Sequence, residues 1–264
     1  MRTLAETAAR NAGEVILASF GRASLQVEKK GVADFVTEVD RAAEAEIRQT
    51  LAEACPEHGF LLEEGGEVTG KSDAVWYVDP LDGTTNFIHR FPFFSVSLGL
   101  VKAGEVVVGV VYDPLRNEMY SAEKGGGTWL NGIAVKVSKA PSLDAALLGT
   151  GFPFRAREHL DTYLDLFKRI FLGAAGVRRA GSAALDLAYV ACGRTEGFFE
   201  LALSPWDVAA GSLLVREAGG RVSDFHGGEG YLHGGDIVAS NGAIHEELLV
   251  RTRAVYPEAR PRRP

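Results

Sequence analysis

The pattern of hydrophobic residues changes near residue 140, and this change constrains the fold more than any other feature of the sequence. Before it, strand-like apolar runs cover residues 95–101, 106–112 and 118–123, with turn signals such as Asp113-Pro114 between them. After it, short apolar runs alternate with helical patterns. We therefore expect a mixed α/β chain, with an antiparallel sheet in the first half and a mostly parallel sheet in the second.

Two helices are predicted ahead of the first sheet. Apolar residues near a 3.6-residue period predict one over residues 3–20. The second begins after Thr37, which forms a variant capping box with Asp40, and ends before Pro56. Asn131-Gly132, between two short apolar runs, predicts a type I′ hairpin. The first half is therefore expected to pair helices with an antiparallel sheet.

The second half is predicted to alternate strands with helices. Its strands are expected over residues 146–150, 176–179, 195–199, 221–223 and 237–240. Its helices are expected over residues 158–171, 183–192, 206–218 and 243–251. We expect residues 1–140 and 141–256 to form two closely packed domains. Residues 257–264 are expected to be a frayed tail, with a basic docking tail as the alternative.

Composition narrows the class of protein. The chain has 264 residues and a net charge of −7, so it gains little from nucleic-acid backbones, and a nucleic-acid partner is not expected. Cys55 and Cys192 lack the spacing of a disulfide framework or a zinc site, which favours a reduced, cytoplasmic protein. No apolar stretch approaches the roughly 18 residues of a membrane span.

Two glycine-rich segments resemble nucleotide-binding sequence patterns but lack other features that these motifs require. Residues 65–72 fit the P-loop pattern, but the strand-like residues 73–78 follow at once where a helix is required. We interpret them as a mobile surface loop. Residues 149–154 begin like a dinucleotide fingerprint but have Phe154 in place of the third glycine and Pro153 in the turn. A nucleotide site is therefore not predicted at either segment.

The most informative stretch is residues 79–87, Asp-Pro-Leu-Asp-Gly-Thr-Thr-Asn-Phe. The apolar residues 75–78 deliver Asp79 and Asp82 onto a stiff turn, and Gly83 allows a ligand to approach the backbone closely. Thr84 and the residues after it favour the start of a short helix, whose free N–H groups suit an anion. Carboxylate ligands beside such donors indicate a metal-bridged phosphate site, although an Asp-rich turn is the simpler alternative.

Other acidic residues strengthen the metal interpretation if they converge on this turn. The candidates are Glu63-Glu64, Asp34, Asp40 and Asp207, each of which alone is more typical of a helix cap or a solvated charge. Two unit charges about 4 Å apart repel by about 4 kcal/mol at an effective dielectric of about 20. A cluster of them persists only with cations, and oxygen ligands without His or Cys favour Mg²⁺ or Mn²⁺.

At these residues the chain closely resembles the inositol monophosphatase family, part of the fructose-1,6-bisphosphatase-like, lithium-sensitive phosphatase superfamily. The matching motifs span nearly the whole chain and are Asp34 to Asp40, Glu63-Glu64, Asp79 to Phe87, His89 to Phe93, Trp206 to Gly211 and Glu217 to Gly220. The resemblance implies a layered αβαβα sandwich and assembly as a homodimer.

The resemblance also implies a metal site with two to three Mg²⁺ ions. It assigns the first ion to Glu64, Asp79 and the carbonyl of Leu81. It assigns the second to Asp79, Asp82 and Asp207. A weaker third ion would lie near Glu64.

Catalytic and substrate roles follow from the same resemblance. Asp40, Thr84 and Glu64 would orient and deprotonate the attacking water. The N–H groups of Gly83 and Thr84 would bind the phosphate. The alcohol side of the substrate would face Gly181, Ser182, Ala183 and Glu200.

The sequence therefore predicts an inositol-1(or 4)-monophosphatase that hydrolyses a phosphate monoester by in-line attack of water. A fructose-1,6-bisphosphatase or a dual-specificity sugar phosphatase is the first alternative. Less favoured are a 3′-phosphoadenosine nucleotide phosphatase, which Glu200 would disfavour by repelling a second phosphate, and a non-catalytic regulator with the same fold.

Overall fold

Helices and sheets alternate in five layers. The computed structural model describes residues 1–22, 25–31, 34–154 and 156–258. The side chain of Asp34 and most of the predicted tail lie outside this description.

Every helix predicted from periodicity is present, with ends that differ from the prediction by a few residues at most. The α-helices of the described residues are α1 (Arg2–Ser19), α2 (Glu38–Ala54), α3 (Thr84–Ile88), α4 (Leu160–Phe171), α5 (Ala183–Ala191), α6 (Pro205–Glu217), α7 (Tyr231–Gly234) and α8 (His245–Val255). Thr37 caps α2 together with Asp40, as the capping-box pattern predicts. Among the described residues, none of the helices combines the length and the apolar character that a bilayer crossing requires.

The strands of the first half are β1 (Val27–Gly31), β2 (Asp34–Thr37), β3 (Gly59–Leu62), β4 (Gly66–Val68), β5 (Ala74–Asp82), β6 (Ser95–Lys102), β7 (Glu105–Asp113), β8 (Glu118–Glu123), β9 (Thr128–Leu130) and β10 (Ile133–Val135). Within the described residues, β3 to β10 form one sheet in the order β10-β9-β8-β7-β6-β5-β3-β4. Its pairings are antiparallel except between β3 and β5. Asn131 and Gly132 join β9 to β10 with φ values of 49° and 79°, as a type I′ turn requires.

The strands of the second half are β11 (Leu147–Thr150), β12 (Gly176–Arg178), β13 (Gly197–Leu201), β14 (Arg221–Ser223) and β15 (Asp236–Ser240). They lie in the order β12-β11-β13-β15-β14. Four of these strands, β12, β11, β13 and β14, run in one direction, as expected of a mostly parallel sheet, and β15 runs antiparallel to both of its neighbours. Helix α6 joins β13 to β14 in the parallel manner expected, but β15 inserts between them. The sheet is therefore mixed, with a single reversed strand.

Some elements carry no clear signal in the sequence. Strands β1 and β2 form a separate two-stranded hairpin, and α7 is a single turn. Residues 65–72, predicted as a surface loop, contain the edge strand β4, which pairs with β3. The P-loop interpretation remains excluded, because the strand β5 follows this segment.

Three apolar cores hold the five layers together, and the middle core packs the central helices against both sheets. Helices α1 and α2 pack on the outer face of the first sheet. Helices α5 and α6 lie between the two sheets. Helices α4 and α8 cover the outer face of the second sheet. This arrangement is the predicted αβαβα sandwich; the proposed division at residue 140 into two domains remains a prediction.

Candidate active site

A β-bulge at the end of β5 positions the first two aspartates. Asp79 lies opposite Ser97 and Asp82 opposite Ser95, so β5 has one more residue than β6 in this interval. Pro80 lies inside the bulge, where the lack of an N–H group costs no ladder hydrogen bond. An oxygen of Asp79 accepts a hydrogen bond from the Leu81 N–H at 3.0 Å.

Gly83 connects the bulge to α3 with a backbone that only glycine adopts readily, at φ = 97°. A Cβ atom here would also lie 3.0 Å from the Phe93 carbonyl oxygen and 3.2 Å from that of Gly181. The first N–H groups of a helix have no intrahelical acceptor, so the start of α3 presents donors beside Asp79 and Asp82.

Asp207 reaches the same place from α6, in the middle layer of the fold. Its carboxylate accepts a hydrogen bond from the Ser204 N–H at 2.7 Å, which fixes it at the first turn of the helix. The Ser97 hydroxyl donates to the Trp206 carbonyl at 3.1 Å and ties this turn to β6. The start of α6 is therefore attached to the strand that pairs with the Asp79 bulge.

A pair of glycines sets how closely α6 approaches the first sheet. Gly99 and Gly109 lie opposite each other on β6 and β7. A Cβ at Gly99 would lie 2.8 Å from that of Ala209, and one at Gly109 would lie 2.6 Å from the Ala210 carbonyl oxygen. The absence of both side chains lets the helix that carries Asp207 rest directly on the sheet.

The structure brings Glu63, and not Glu64, to the cleft, which corrects the expectation for this pair. The Glu63 N–H donates to the Val78 carbonyl at 3.1 Å, continuing the parallel β3–β5 ladder, so Glu63 lies beside Asp79. Strand β3 ends at Leu62, and in the turn that follows it Glu64 does not line the cleft. Its N–H donates to the Glu44 carboxylate at 2.9 Å.

Asp40 and Thr84, both expected to act on the attacking water, lie in direct contact. The Thr84 hydroxyl lies 3.0 Å from a carboxylate oxygen of Asp40 and 3.0 Å from the Leu81 carbonyl oxygen. The other oxygen of Asp40 accepts from the N–H and the hydroxyl of Thr37. Burial raises the pKa of Asp40, while the hydrogen bonds from Thr37 and Thr84 oppose the shift.

Asp82 links the two halves of the chain. One of its oxygens accepts hydrogen bonds from the Ser182 hydroxyl at 2.6 Å and from the Ala184 N–H at 2.7 Å. Both donors lie at the start of α5, 100 or more residues along the chain. The predicted substrate-side segment is thereby placed against the predicted metal-binding turn.

The carboxylates of the cleft interact strongly with one another. Burial raises the pKa of Asp79 well above its ordinary value, and the carboxylates of Glu63 and Asp82 add to this shift. Burial and then the charge of Asp207 raise the pKa of Asp82 to about 7, against the opposing hydrogen bond from Ser182. The site therefore concentrates negative charge that a cation would relieve.

These groups line a cleft of about 280 Å³ between the two halves of the chain. The predicted residues among its lining are Asp79, Leu81, Asp82, Gly83, Thr84, Gly181, Ser182, Ala183, Glu200 and Asp207. Asp40 joins them through Thr84.

Several residues of the cleft were not predicted from the sequence. They include Gly151, Phe152, Phe154 and Arg179, while Glu63 was a candidate as part of the Glu63-Glu64 pair but was given no separate role. The Arg179 guanidinium lies over the Phe154 ring, 5.0 Å from its centroid. Residues 149–154 carry a glycine-rich pattern, but it was rejected as a dinucleotide fingerprint and no site was predicted there.

The donor set of the cleft consists of oxygen atoms. In the described residues, no three His, Cys, Asp or Glu side chains form a ready-made metal cluster. The carboxylates nevertheless lie near enough to raise one another's pKa, which is the condition under which hard divalent cations bind to oxygen ligands. The residues present therefore fit Mg²⁺ or Mn²⁺ better than zinc.

Comparison with known proteins agrees with this geometry. The model of the inositol monophosphatase family matches residues 1–257. The Nus factor SuhB of Salmonella typhimurium is 49% identical over 98% of both chains, and an inositol-1-monophosphatase of Mesorhizobium japonicum is 47% identical over 92% of both. The crystal structure of the extragenic suppressor protein suhB from Bartonella henselae superposes with a TM-score of 0.92, at 42% identity over 95% of this chain and 97% of that one.

Proposed function

Because the chain belongs to the inositol monophosphatase family, we propose that it is a Mg²⁺-dependent hydrolase of phosphate monoesters that acts on an inositol monophosphate. The observation that carries this proposal is the convergence of four carboxylates beside the free N–H groups of α3. They come from three separate parts of the chain and are Glu63, Asp79, Asp82 and Asp207.

These carboxylates and the Leu81 carbonyl would hold two to three Mg²⁺ ions, or Mn²⁺ in their place. When bound, divalent cations supply positive charge to the phosphoryl oxygens and to the departing alcohol oxygen. Glu63 takes the role that the sequence resemblance gave to Glu64, because Glu63 is the residue in the cleft.

Thr84 and Asp40 would orient the attacking water. When the Thr84 hydroxyl donates to Asp40, its lone pairs face outward and can accept a hydrogen bond from a water molecule. A proton that Thr84 receives from the water can pass on to Asp40. The raised pKa of Asp40 suits it to accept this proton.

The substrate would lie between the two halves of the chain. The N–H groups of Gly83 and Thr84 at the start of α3 bind the phosphate. Gly181, Ser182 and Ala183 line the alcohol side. The Glu200 carboxylate accepts hydrogen bonds from hydroxyl groups of the polyol. The same negative charge would repel a second phosphate group on the substrate.

Fructose-1,6-bisphosphate is the alternative substrate. Arg179 also lines the cleft, and its guanidinium would attract a second phosphate that Glu200 would repel. The deciding experiment is a phosphate-release assay with inositol 1-phosphate, fructose-1,6-bisphosphate, histidinol phosphate and 3′-phosphoadenosine phosphate, each with Mg²⁺ and with a chelator. Turnover that is unaffected by the chelator would refute the proposed use of metal.

A second role, besides catalysis, is favoured by the whole-length similarity to relatives called Nus factor SuhB. The acidic net charge favours a protein partner over direct contact with nucleic acid. The test is to replace the SuhB of Escherichia coli with this chain and with its Asp82→Asn variant. Complementation by both would support a role independent of turnover, and complementation by neither would exclude it.

The proposal includes assembly as a homodimer. Several apolar side chains of the described residues are more than 40% exposed, among them Leu164, Phe171 and Leu172, which a monomer would leave in water. Light scattering after size-exclusion chromatography measures the mass directly. A mass near 28 kDa, that of one chain, would refute the dimer.

A further inference from the structure

On the alcohol side of the cleft, the Glu200 carboxylate fills the space that a side chain at Gly151 would need. Gly151 follows β11, and Glu200 lies on the neighbouring strand β13. A Cβ atom added to Gly151 would lie 2.0 to 2.2 Å from the carboxyl carbon and both oxygens of Glu200. The carboxylate therefore rests where the side chain of any other residue would begin.

The backbone does not explain the glycine at this position. Gly83 and Gly181 in the same cleft have φ values of 97° and 96°, which favour glycine whatever surrounds them. The φ angle of Gly151 lies outside this left-handed region. The φ angle at residue 151 therefore does not call for glycine, and the three atoms nearest to a Cβ there all belong to the Glu200 carboxylate.

A second carboxylate lies against β11 two residues before Gly151. Gly149, two residues earlier on β11, faces Asp186, whose oxygen would lie 3.1 Å from a Cβ at residue 149. Asp186 is buried, and its charge and that of Glu200 repel each other. A side chain at residue 151 would therefore displace the Glu200 carboxylate, while the Asp186 carboxylate occupies the space beside residue 149.

We propose that Gly151 determines substrate specificity by holding the Glu200 carboxylate at the edge of the cleft, where it meets the hydroxyl groups of a polyol phosphate. This inference rests on the proposed phosphatase function. Gly151 is a positioning residue, since it acts through Glu200. The substrate class it selects is small phosphate monoesters with hydroxyl groups near the ester, in preference to esters of alcohols without them.

The end of a glutamate side chain moves at little cost in stability, so Gly151→Ala should fold and change selectivity. We expect the ratio of kcat/KM for inositol 1-phosphate to that for p-nitrophenyl phosphate to fall about tenfold, because the polyol loses its hydroxyl contacts. The change should lie mainly in KM for inositol 1-phosphate, since Glu200 binds the part of the substrate that does not react.

A shorter acid should restore the geometry. In Gly151→Ala/Glu200→Asp the carboxylate retracts by one methylene group, and we expect the selectivity ratio to recover at least in part relative to Gly151→Ala. Gly176→Ala is the matched control: Gly176 lies on β12 of the same sheet, does not line the cleft, and a Cβ there would lie 3.3 Å from Leu147 and 3.4 Å from Arg178, both side chains.

The outcomes separate the two proposals. The role of Gly151 is supported if the selectivity ratio falls in Gly151→Ala and recovers in the double variant. The ratio of Gly176→Ala should stay at the wild-type value. An equal loss on both substrates, an unchanged ratio, or no recovery in the double variant would overturn the role of Gly151 while leaving the phosphatase intact. Absence of Mg²⁺-dependent turnover by the wild-type protein on either substrate would remove the proposed function and this inference with it.

Discussion

The Thr84 hydroxyl lies 3.0 Å from a carboxylate oxygen of Asp40, although 44 positions separate the two residues in the sequence. Thr84 begins the short helix beside the Asp79 bulge, and Asp40 lies in the first turn of α2. The contact therefore joins the outer helical layer to the cleft. It gives the proposed water-binding group a proton acceptor that is buried and held by Thr37.

Thr84→Val should lower kcat for phosphate release by about 10² to 10³-fold, because the variant keeps the shape of the side chain but loses the hydroxyl that orients the water. KM should change little. Thr84→Ser is the control, since it retains the hydroxyl and should keep most of the activity. Equal activity of the valine and serine variants in steady-state kinetics would exclude a role for the hydroxyl.

Asp82→Asn and Asp207→Asn should each abolish turnover while leaving the fold intact, because each removes a charge that the proposed cation requires. The double variant should be no worse than either single one, as residues that act as a unit are not additive. Isothermal titration with Mg²⁺ measures the lost binding, and circular dichroism checks the fold. Additive losses would show that the two carboxylates act separately.

Glu63→Gln and Glu64→Gln form a matched pair. Glu63 lines the cleft beside Asp79, whereas the N–H of Glu64 binds Glu44 outside it. Glu63→Gln should lower kcat/KM by at least about 10²-fold, and Glu64→Gln by less than about threefold. Steady-state kinetics at saturating Mg²⁺ compare the two. The opposite ranking would restore the expectation drawn from the sequence.

Gly99→Ala should destabilise the protein by about 1 to 3 kcal/mol, because the added methyl group would overlap Ala209 on α6. It should also weaken Mg²⁺ binding, since Asp207 moves with the start of that helix. Urea denaturation and metal titration measure the two effects. Gly104→Ala is the control for overpacking, because a Cβ at residue 104 would meet no atom within 4 Å. The φ of 79° at this residue still imposes backbone strain on alanine. The Mg²⁺ affinity of this variant should remain that of the wild type.

The buried His245 should make stability depend on pH. Its ring nitrogens lie 2.9 Å from the hydroxyls of Ser223 and Ser240, and burial lowers its pKa from 6.5 to about 4, with a smaller contribution from Arg221. Between these two values the unfolded chain binds a proton that the folded chain does not. This contribution to stability is therefore complete above pH 6.5 and is lost as the pH falls towards 4.

The loss should amount to about 1.4 kcal/mol per pH unit, on the order of 3 kcal/mol in all. Urea denaturation of the wild type and of His245→Asn at several pH values isolates it, because the carboxylates of the cleft titrate alike in both proteins. The difference in unfolding free energy between the two should shrink as the pH falls. A constant difference would show that His245 does not titrate in this range.

Local patterns predicted the parts of the fold that depend on neighbouring residues. The period of α1, the capping box at Thr37 and the hairpin at Asn131-Gly132 are all present. The acidic turn at Asp79 and Asp82 was also recognised, because its chemistry lies within a few residues.

Features that depend on distant pairing were not predictable in the same way. The choice between Glu63 and Glu64 depends on the register of β3 against β5, which no local pattern specifies. The insertion of β15 between β13 and β14 likewise depends on the path of the chain through space. Gly151 became meaningful only when the structure placed Glu200 against it.

The hydrogen bonds that Asp82 accepts lower the entropy that is lost when a cation binds in the cleft. The bonds from the Ser182 hydroxyl and the Ala184 N–H both reach Oδ2, so the start of α5 already orients the side chain. An arriving cation would meet a preorganised ligand and would lose little rotamer entropy in capturing it. The start of α5 thus contributes to affinity without itself supplying a ligand.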